Sequence, residues 1–112
     1  MKFKLDVPYF GGNLLVIADD NWHSMIQDYG EFGNIAQWHA GFFHTVTDKM
    51  IICFPEKPSV GVITHEVNHF VDELLNDIGH HPVRGNVEIE CYMLQHFVEK
   101  IYNKIYVVKK NK

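Results

Sequence analysis

The apolar periodicity of the chain changes at Pro55, and this change constrains the fold more than any other feature. Before Pro55, apolar and polar residues alternate in short runs, which is typical of half-buried strands. After Pro58, apolar residues recur every three or four positions along two long stretches, as they do on one face of an α-helix. The sequence therefore predicts an α+β domain, with a sheet in the first half and a pair of helices in the second.

Four strands and one short helix are predicted before Pro55. The predicted strands cover residues 2–7, 14–18, 35–46 and 50–54. Asp19-Asp20 offers an N-cap for the short helix. Its apolar stripe has helical spacing and consists of Trp22, Met25, Ile26 and Tyr29. We expect these elements to form a small antiparallel or mixed sheet that carries one helix.

Two long amphipathic helices are predicted after Pro58. Ser59 is a suitable N-cap for a helix over residues 60–77, and Gly79 is a suitable stop. Asn86 can cap a last helix over residues 87–107. Each helix has one apolar side, so we expect the two helices to pack on each other and on the sheet.

Length and composition exclude several classes of protein. The chain has 112 residues, enough for a single domain over residues 1–112. Its 46% hydrophobic and 21% charged residues exclude a disordered chain, and its net charge of −4 argues against a nucleic-acid-binding protein. No apolar run approaches the roughly 18 residues of a membrane span, and residues 1–10 do not resemble a signal peptide. We expect a cytoplasmic protein in which Cys53 and Cys91 are buried thiols.

The segment His65-Glu66-Val67-Asn68-His69 contains the candidate metal ligands and the candidate general base. Residues four apart on a helix lie on the same face, so both imidazoles can bind one zinc ion at about 2.0–2.1 Å. Glu66 lies about 100° around the helix from His65, beside such an ion. From there it can accept a proton from a zinc-activated water molecule.

The helical wheel separates these histidines from the predicted core. The apolar side centres on Val60, Val67 and Ile78, whereas His65 and His69 lie nearly opposite, together with Asp72 and Asn76. Asp72 can therefore accept an N–H from one imidazole and orient it. The alternative is a chance match of the motif on an ordinary solvated helix face.

A catalytic zinc ion needs a third protein ligand from elsewhere in the chain. A later histidine in the pattern HExxHxxGxxH is excluded, because Asp72 and Leu75 stand at those positions. A glutamate of the last helix is the better candidate, since eighteen residues separate His69 from Glu88. Periodicity does not distinguish Glu88 from Glu90, because the two flank the apolar seam at similar angles. Without a metal, both are simply acidic residues at a helix N-terminus.

The residues 59–102 resemble the gluzincin group of zinc metallopeptidases, and above all its small members encoded by phages and prophages. The shared features are Thr64 before the HExxH motif, a Gly-containing loop, Glu88 followed by Tyr92, and finally Glu99-Lys100-Ile101-Tyr102. The first half of the chain is only loosely similar. The resemblance implies a zincin-like fold and a hydrolase that cleaves peptides or proteins. It further implies one zinc ion per chain on His65, His69 and Glu88, Glu66 as the general base, and the host cytoplasm as the compartment.

The sequence does not assign a single role to several other residues. Tyr92 lies one turn from Glu88 on the same face and is a candidate to stabilise the oxyanion, although a structural role explains it as well. His80 and His81 are expected in the loop between the helices, and no role is assigned to His23, His39, His44 or His96. Gly41 to Val46 is a candidate sheet edge beside the cleft. The alternative function is a non-enzymatic phage assembly or interaction protein with a structural zinc site, and a further alternative is a domain without metal.

Overall fold

A computed structural model of the chain describes residues 1–7, 12–29, 41–46, 49–77 and 87–107. It confirms the α+β class. The strands are β1 (Lys2–Asp6), β2 (Asn13–Ala18), β3 (Phe42–Val46) and β4 (Lys49–Phe54). The helices are the short α1 (Trp22–Met25), which continues as a 3₁₀ turn over Ile26–Tyr29, and the long α2 (Val60–Asp77) and α3 (Val87–Tyr106).

The four strands form one mixed sheet with the order β1-β2-β4-β3. β1 is antiparallel to β2, and β3 is antiparallel to β4, whereas the two central strands, β2 and β4, pair in parallel. β1 and β3 are consequently the edge strands. The predicted strand over residues 35–46 is described only from Phe42 onward, and residues 35–40 lie outside the described part of the chain.

The sheet lies between two helical layers. One face packs against α2 and α3 in a cluster that includes Val16, Ile52, Val67 and Phe97. The other face packs against α1 and the 3₁₀ turn through residues such as Ile51 and Trp22. Neighbouring residues of β4 point to opposite faces of the sheet, which is why Ile51 and Ile52 belong to different clusters.

The two long helices form an antiparallel pair. The Ser59 hydroxyl accepts a hydrogen bond from the Val62 N–H at 3.1 Å, which confirms the predicted N-cap. The Tyr106 hydroxyl donates to the Pro58 carbonyl and joins the end of α3 to the start of α2. Halfway along the pair, the Phe70 and Phe97 rings meet edge to face at 4.9 Å. No helix in the described ranges is long and apolar enough to cross a membrane.

Two predictions about single residues are wrong. The short helix begins after Asn21, without a side-chain cap, and the Asp19 carboxylate instead accepts the Asn21 N–H at 2.8 Å in a turn. Cys53 is buried as predicted, but Cys91 is exposed because it lies at the border of the apolar side of α3. The predicted helix stop at Gly79 and the cap at Asn86 fall outside the described residues.

Candidate metal centre

The two motif histidines meet on the solvent side of α2. Both side chains are exposed, whereas Val67 and Phe70 between and beside them are buried, as the helical wheel predicts. The imidazole rings stand nearly perpendicular, with centroids 4.8 Å apart. Their Nε2 atoms are 3.3 Å apart. The one-turn spacing of His65 and His69 thus brings one nitrogen of each ring to the same point above the helix.

The Nε2 separation of this histidine pair agrees with shared binding of a zinc ion. Two nitrogen ligands at about 2.0–2.1 Å from a tetrahedral ion are about 3.3–3.4 Å apart. A hydrogen bond from a protonated Nε2 to an unprotonated one accounts for the same separation. The pair therefore fits zinc without rearrangement of the helix, and metal titration distinguishes the two explanations.

Glu66 lies beside the pair but points toward the sheet. It is 5% exposed and is the one buried charged side chain among the described residues. A Cβ atom at Gly41, just before the edge strand β3, would lie 2.9 Å from both Cγ and Oε2 of Glu66. The carboxylate is thus packed against the backbone where β3 begins. Burial of a carboxylate costs free energy of folding that interactions with its surroundings must offset.

The charge of Glu66 also reaches Cys53 on β4. Burial, and to a smaller extent the nearby Glu66 carboxylate, raise the pKa of the Cys53 thiol to about 12. The thiol therefore stays protonated at neutral pH. Because zinc binds the thiolate, Cys53 is a poor ligand despite its proximity to the motif.

Gly41→Ala should destabilise the protein by about 1–3 kcal/mol, because the added methyl group would overlap Glu66. Chemical denaturation of the purified variants measures this difference. Gly61→Ala is the matched control: its Cβ would meet nothing nearer than 3.8 Å, and alanine should favour helix α2 by about 0.5 kcal/mol. Equal stability of Gly41→Ala and the unmodified chain would show that the contact with Glu66 is not tight.

The structure does not bring Glu88 to the histidines. Glu88 is exposed in the first turn of α3 and precedes Phe97 by nine residues, or about 13–14 Å of helix. Phe97 contacts Phe70, the neighbour of His69. In an antiparallel pair with this register, Glu88 lies level with the C-terminal end of α2. Glu90 is half-buried in the same turn, and Tyr92 is 67% exposed.

Within the described ranges, no group of three or more His, Cys, Asp or Glu side chains converges on a possible metal position. Asp72 is exposed on the same side of α2, and no hydrogen bond joins it to His65 or His69. The geometry thus brings together two imidazole nitrogen atoms that could bind a metal ion. The third ligand stays a prediction from the sequence.

The remaining histidines lie away from the His65–His69 pair or outside the described residues. His23 stacks on Trp22 at 3.9 Å, His44 stacks on Phe42, and His96 meets Phe97 edge to face. His39, His80 and His81 are not described. Sequence analysis did not find the contact of Gly41 with Glu66, because these residues meet only through the fold and no local pattern marks the pair.

Comparison with known proteins identifies no relative. No protein-family model matches the chain, and no curated protein or solved structure is significantly similar to it. Function is therefore inferred from the chemistry of His65, Glu66 and His69 and from their positions in the fold.

Proposed function

We propose that this protein is a zinc-dependent peptidase in which His65 and His69 hold the ion and Glu66 is the general base. The observation that carries this proposal is the 3.3 Å separation of the two Nε2 atoms beside a buried carboxylate. When bound, zinc supplies Lewis acidity: it polarises a carbonyl oxygen and lowers the pKa of a water molecule. The residues of the chain supply the proton transfers and the positioning.

Glu66 is suited to proton transfer by its position. It neighbours both histidines on α2, yet the helix turns its carboxylate toward the start of β3 rather than toward bulk water. In the proposed reaction the carboxylate accepts a proton from the attacking water and then donates that proton to the leaving amine. The Gly41 backbone limits its movement, which keeps the base in one place.

The edge strand β3 is suited to hold an extended substrate. Among the described residues, β3 pairs with β4 on one side only, and it begins directly after Gly41, whose backbone packs against Glu66. A peptide in extended conformation can add to such an edge through backbone hydrogen bonds. In this binding mode the peptide groups of the substrate would lie close to Glu66. The binding would rely on backbone hydrogen bonds and would not require pockets for the substrate's side chains.

The alternative, a structural zinc ion in a non-enzymatic assembly protein, has less support. His65 and His69 lie on one helix and face solvent, away from the sheet. An ion held by these two residues alone would link only two turns of α2, so a structural role would need further ligands from another element. A structural site typically ties together segments that are otherwise apart.

The direct test is elemental analysis of the protein purified without added zinc, followed by a crystal structure with zinc. We expect about one zinc ion per chain, with one coordination position open to water. Four protein ligands around the ion would favour the structural alternative. Absence of zinc from the histidine pair, at saturating zinc, would refute the proposal.

Glu88→Ala should weaken zinc binding by at least about 100-fold if Glu88 is the third ligand that the sequence predicts. This result would require the first turn of α3 to lie nearer to the histidines in the zinc-bound protein than in the described structure. Titration against a zinc-binding dye measures the affinity. Glu99→Ala is the control on the same helix, and we expect its affinity to change by less than about threefold. Unchanged affinity in Glu88→Ala would remove Glu88 from the site.

A further inference from the structure

The outer edge of β1 has free backbone groups at regular spacing. Met1 and Ala18 exchange two backbone hydrogen bonds, and the Val7 N–H donates to Gly12, so odd-numbered residues of β1 face β2. The N–H and C=O groups of Lys2, Lys4 and Asp6 consequently point outward. No other described strand pairs with this edge.

Basic side chains border this edge on both faces of the sheet. Lys2 and Lys4 are exposed on β1 itself. On the helical side, His96, Lys100 and Lys104 recur every four residues along α3, and Lys104 Nζ lies 5.8 Å from the centre of the Phe3 ring. We call the space between the outer edge of β1 and these three α3 residues the β1 channel.

The β1 channel contains a cavity of about 340 Å³. Its walls are Lys4, Leu5, Asp6, His96 and Lys100. Lys4 and Lys100 form no ion pair with another residue in the described parts of the chain, where the N-terminal ammonium and Asp19 are the only such pair. The positive charges of Lys4 and Lys100 thus outnumber the single negative charge of Asp6 here, in a chain whose net charge is −4.

Charge selects among the possible occupants of the β1 channel. A second copy of β1 would bring together two edges that each carry Lys2, Lys4, Lys100 and Lys104 against the single carboxylate of Asp6, and this net repulsion disfavours an edge-to-edge dimer. The chain's own C-terminal residues, Lys109-Lys110-Asn111-Lys112, are basic and would be repelled as well. An extended segment rich in Asp or Glu would meet lysines on whichever face of the sheet its side chains project.

We propose that the β1 channel binds an extended acidic peptide segment, which adds to the sheet as a fifth strand. Backbone hydrogen bonds to Lys2, Lys4 and Asp6 give the segment its register, and the lysines of β1 and α3 select for acidic side chains. This site lies at the opposite edge of the sheet from β3 and does not depend on the proposed peptidase activity.

The test uses a fluorescein-labelled peptide of alternating glutamate and threonine, about eight residues long, and fluorescence anisotropy at low salt. We expect saturable binding that weakens as salt is added, and no binding of the matching lysine–threonine peptide. Lys4→Glu combined with Lys100→Glu should weaken binding at least about tenfold. Lys57→Glu is the matched control, because Lys57 lies against Tyr106 outside the channel. Equal weakening by Lys57→Glu would refute the site.

A second pair of variants separates strand addition from simple charge attraction. Asp6→Pro removes an outward N–H together with a negative charge, whereas Asp6→Asn removes the charge alone. Strand addition predicts that Asp6→Pro binds the acidic peptide at least about threefold more weakly than Asp6→Asn. Hydrogen exchange of the Lys2, Lys4 and Asp6 amides should also slow when the peptide binds. Equal binding by the two variants, or unchanged exchange at these amides, would overturn the proposal.

Discussion

Replacing His69 with alanine should reduce zinc affinity by at least about 100-fold. Changes to residues that merely orient a ligand reduce metal affinity about 10- to 100-fold, and loss of a ligand should cost more. His65 and His69 hold their Nε2 atoms 3.3 Å apart, so removing either ring destroys the two-nitrogen site. His65→Ala should therefore behave like His69→Ala. Competition with a chromophoric chelator measures both affinities.

Thermal unfolding gives a second measure of the loss of zinc binding in His69→Ala. Zinc at 100 times its dissociation constant should stabilise the unmodified chain by about 2.7 kcal/mol, which raises Tm by on the order of 10 °C. This rise should disappear in His69→Ala. His96→Ala removes an exposed histidine of α3 that is not in the motif, and it should keep both the affinity and the rise in Tm. Retention of full affinity by His69→Ala would place the ion elsewhere.

Local sequence signals predicted the long helices well. The bounds of α2 match the prediction, and the Ser59 cap is present, because capping and apolar periodicity act within a few residues. The exposure of His65 and His69 follows from the same periodicity. The burial of Trp22 and Ile26 likewise follows from the apolar stripe of the short helix.

Features that depend on tertiary packing were not predictable from local patterns. The parallel pairing of β2 with β4 joins strands that are far apart in the chain, and the pattern of alternating residues does not set the order of the strands in the sheet. Local patterns also do not predict the axial register of α3 on α2. Sliding one helix along the other by two turns keeps the same sides in contact but moves Glu88 by about 10 Å. Spacing along the chain therefore predicted Glu88 as a ligand without determining its position.

The contact of Glu66 with Gly41 is the third such feature. The motif predicts that Glu66 lies beside the histidines, and this follows from helix geometry alone. Its burial against the start of β3 depends on how α2 packs over the sheet edge. That packing distinguishes Glu66 from an ordinary exposed glutamate of a solvated helix, and it makes the proposed role of this residue in hydrolysis testable separately from zinc binding.

Glu66→Gln should leave zinc binding within about threefold of its original value and reduce peptide hydrolysis by about 100- to 10,000-fold. Glutamine keeps nearly the same shape, so the buried contact with Gly41 should persist, but the amide cannot accept the proton of the attacking water. Hydrolysis is measured by mass spectrometry on a mixture of unstructured peptides, with the zinc-loaded protein and with a chelator-treated sample. Cleavage that survives the chelator would come from another activity.

Glu73→Gln is the matched control for this variant. Glu73 lies two turns after Glu66 on the same side of α2 and is half-buried, so the substitution makes the same chemical change at a similar angle on the helix. We expect Glu73→Gln to retain both zinc and hydrolysis. If Glu66→Gln hydrolyses peptides as fast as Glu73→Gln at equal zinc content, the base is another residue. If the zinc-loaded, unmodified chain cleaves none of the peptides, the histidine pair binds metal without the proposed catalysis.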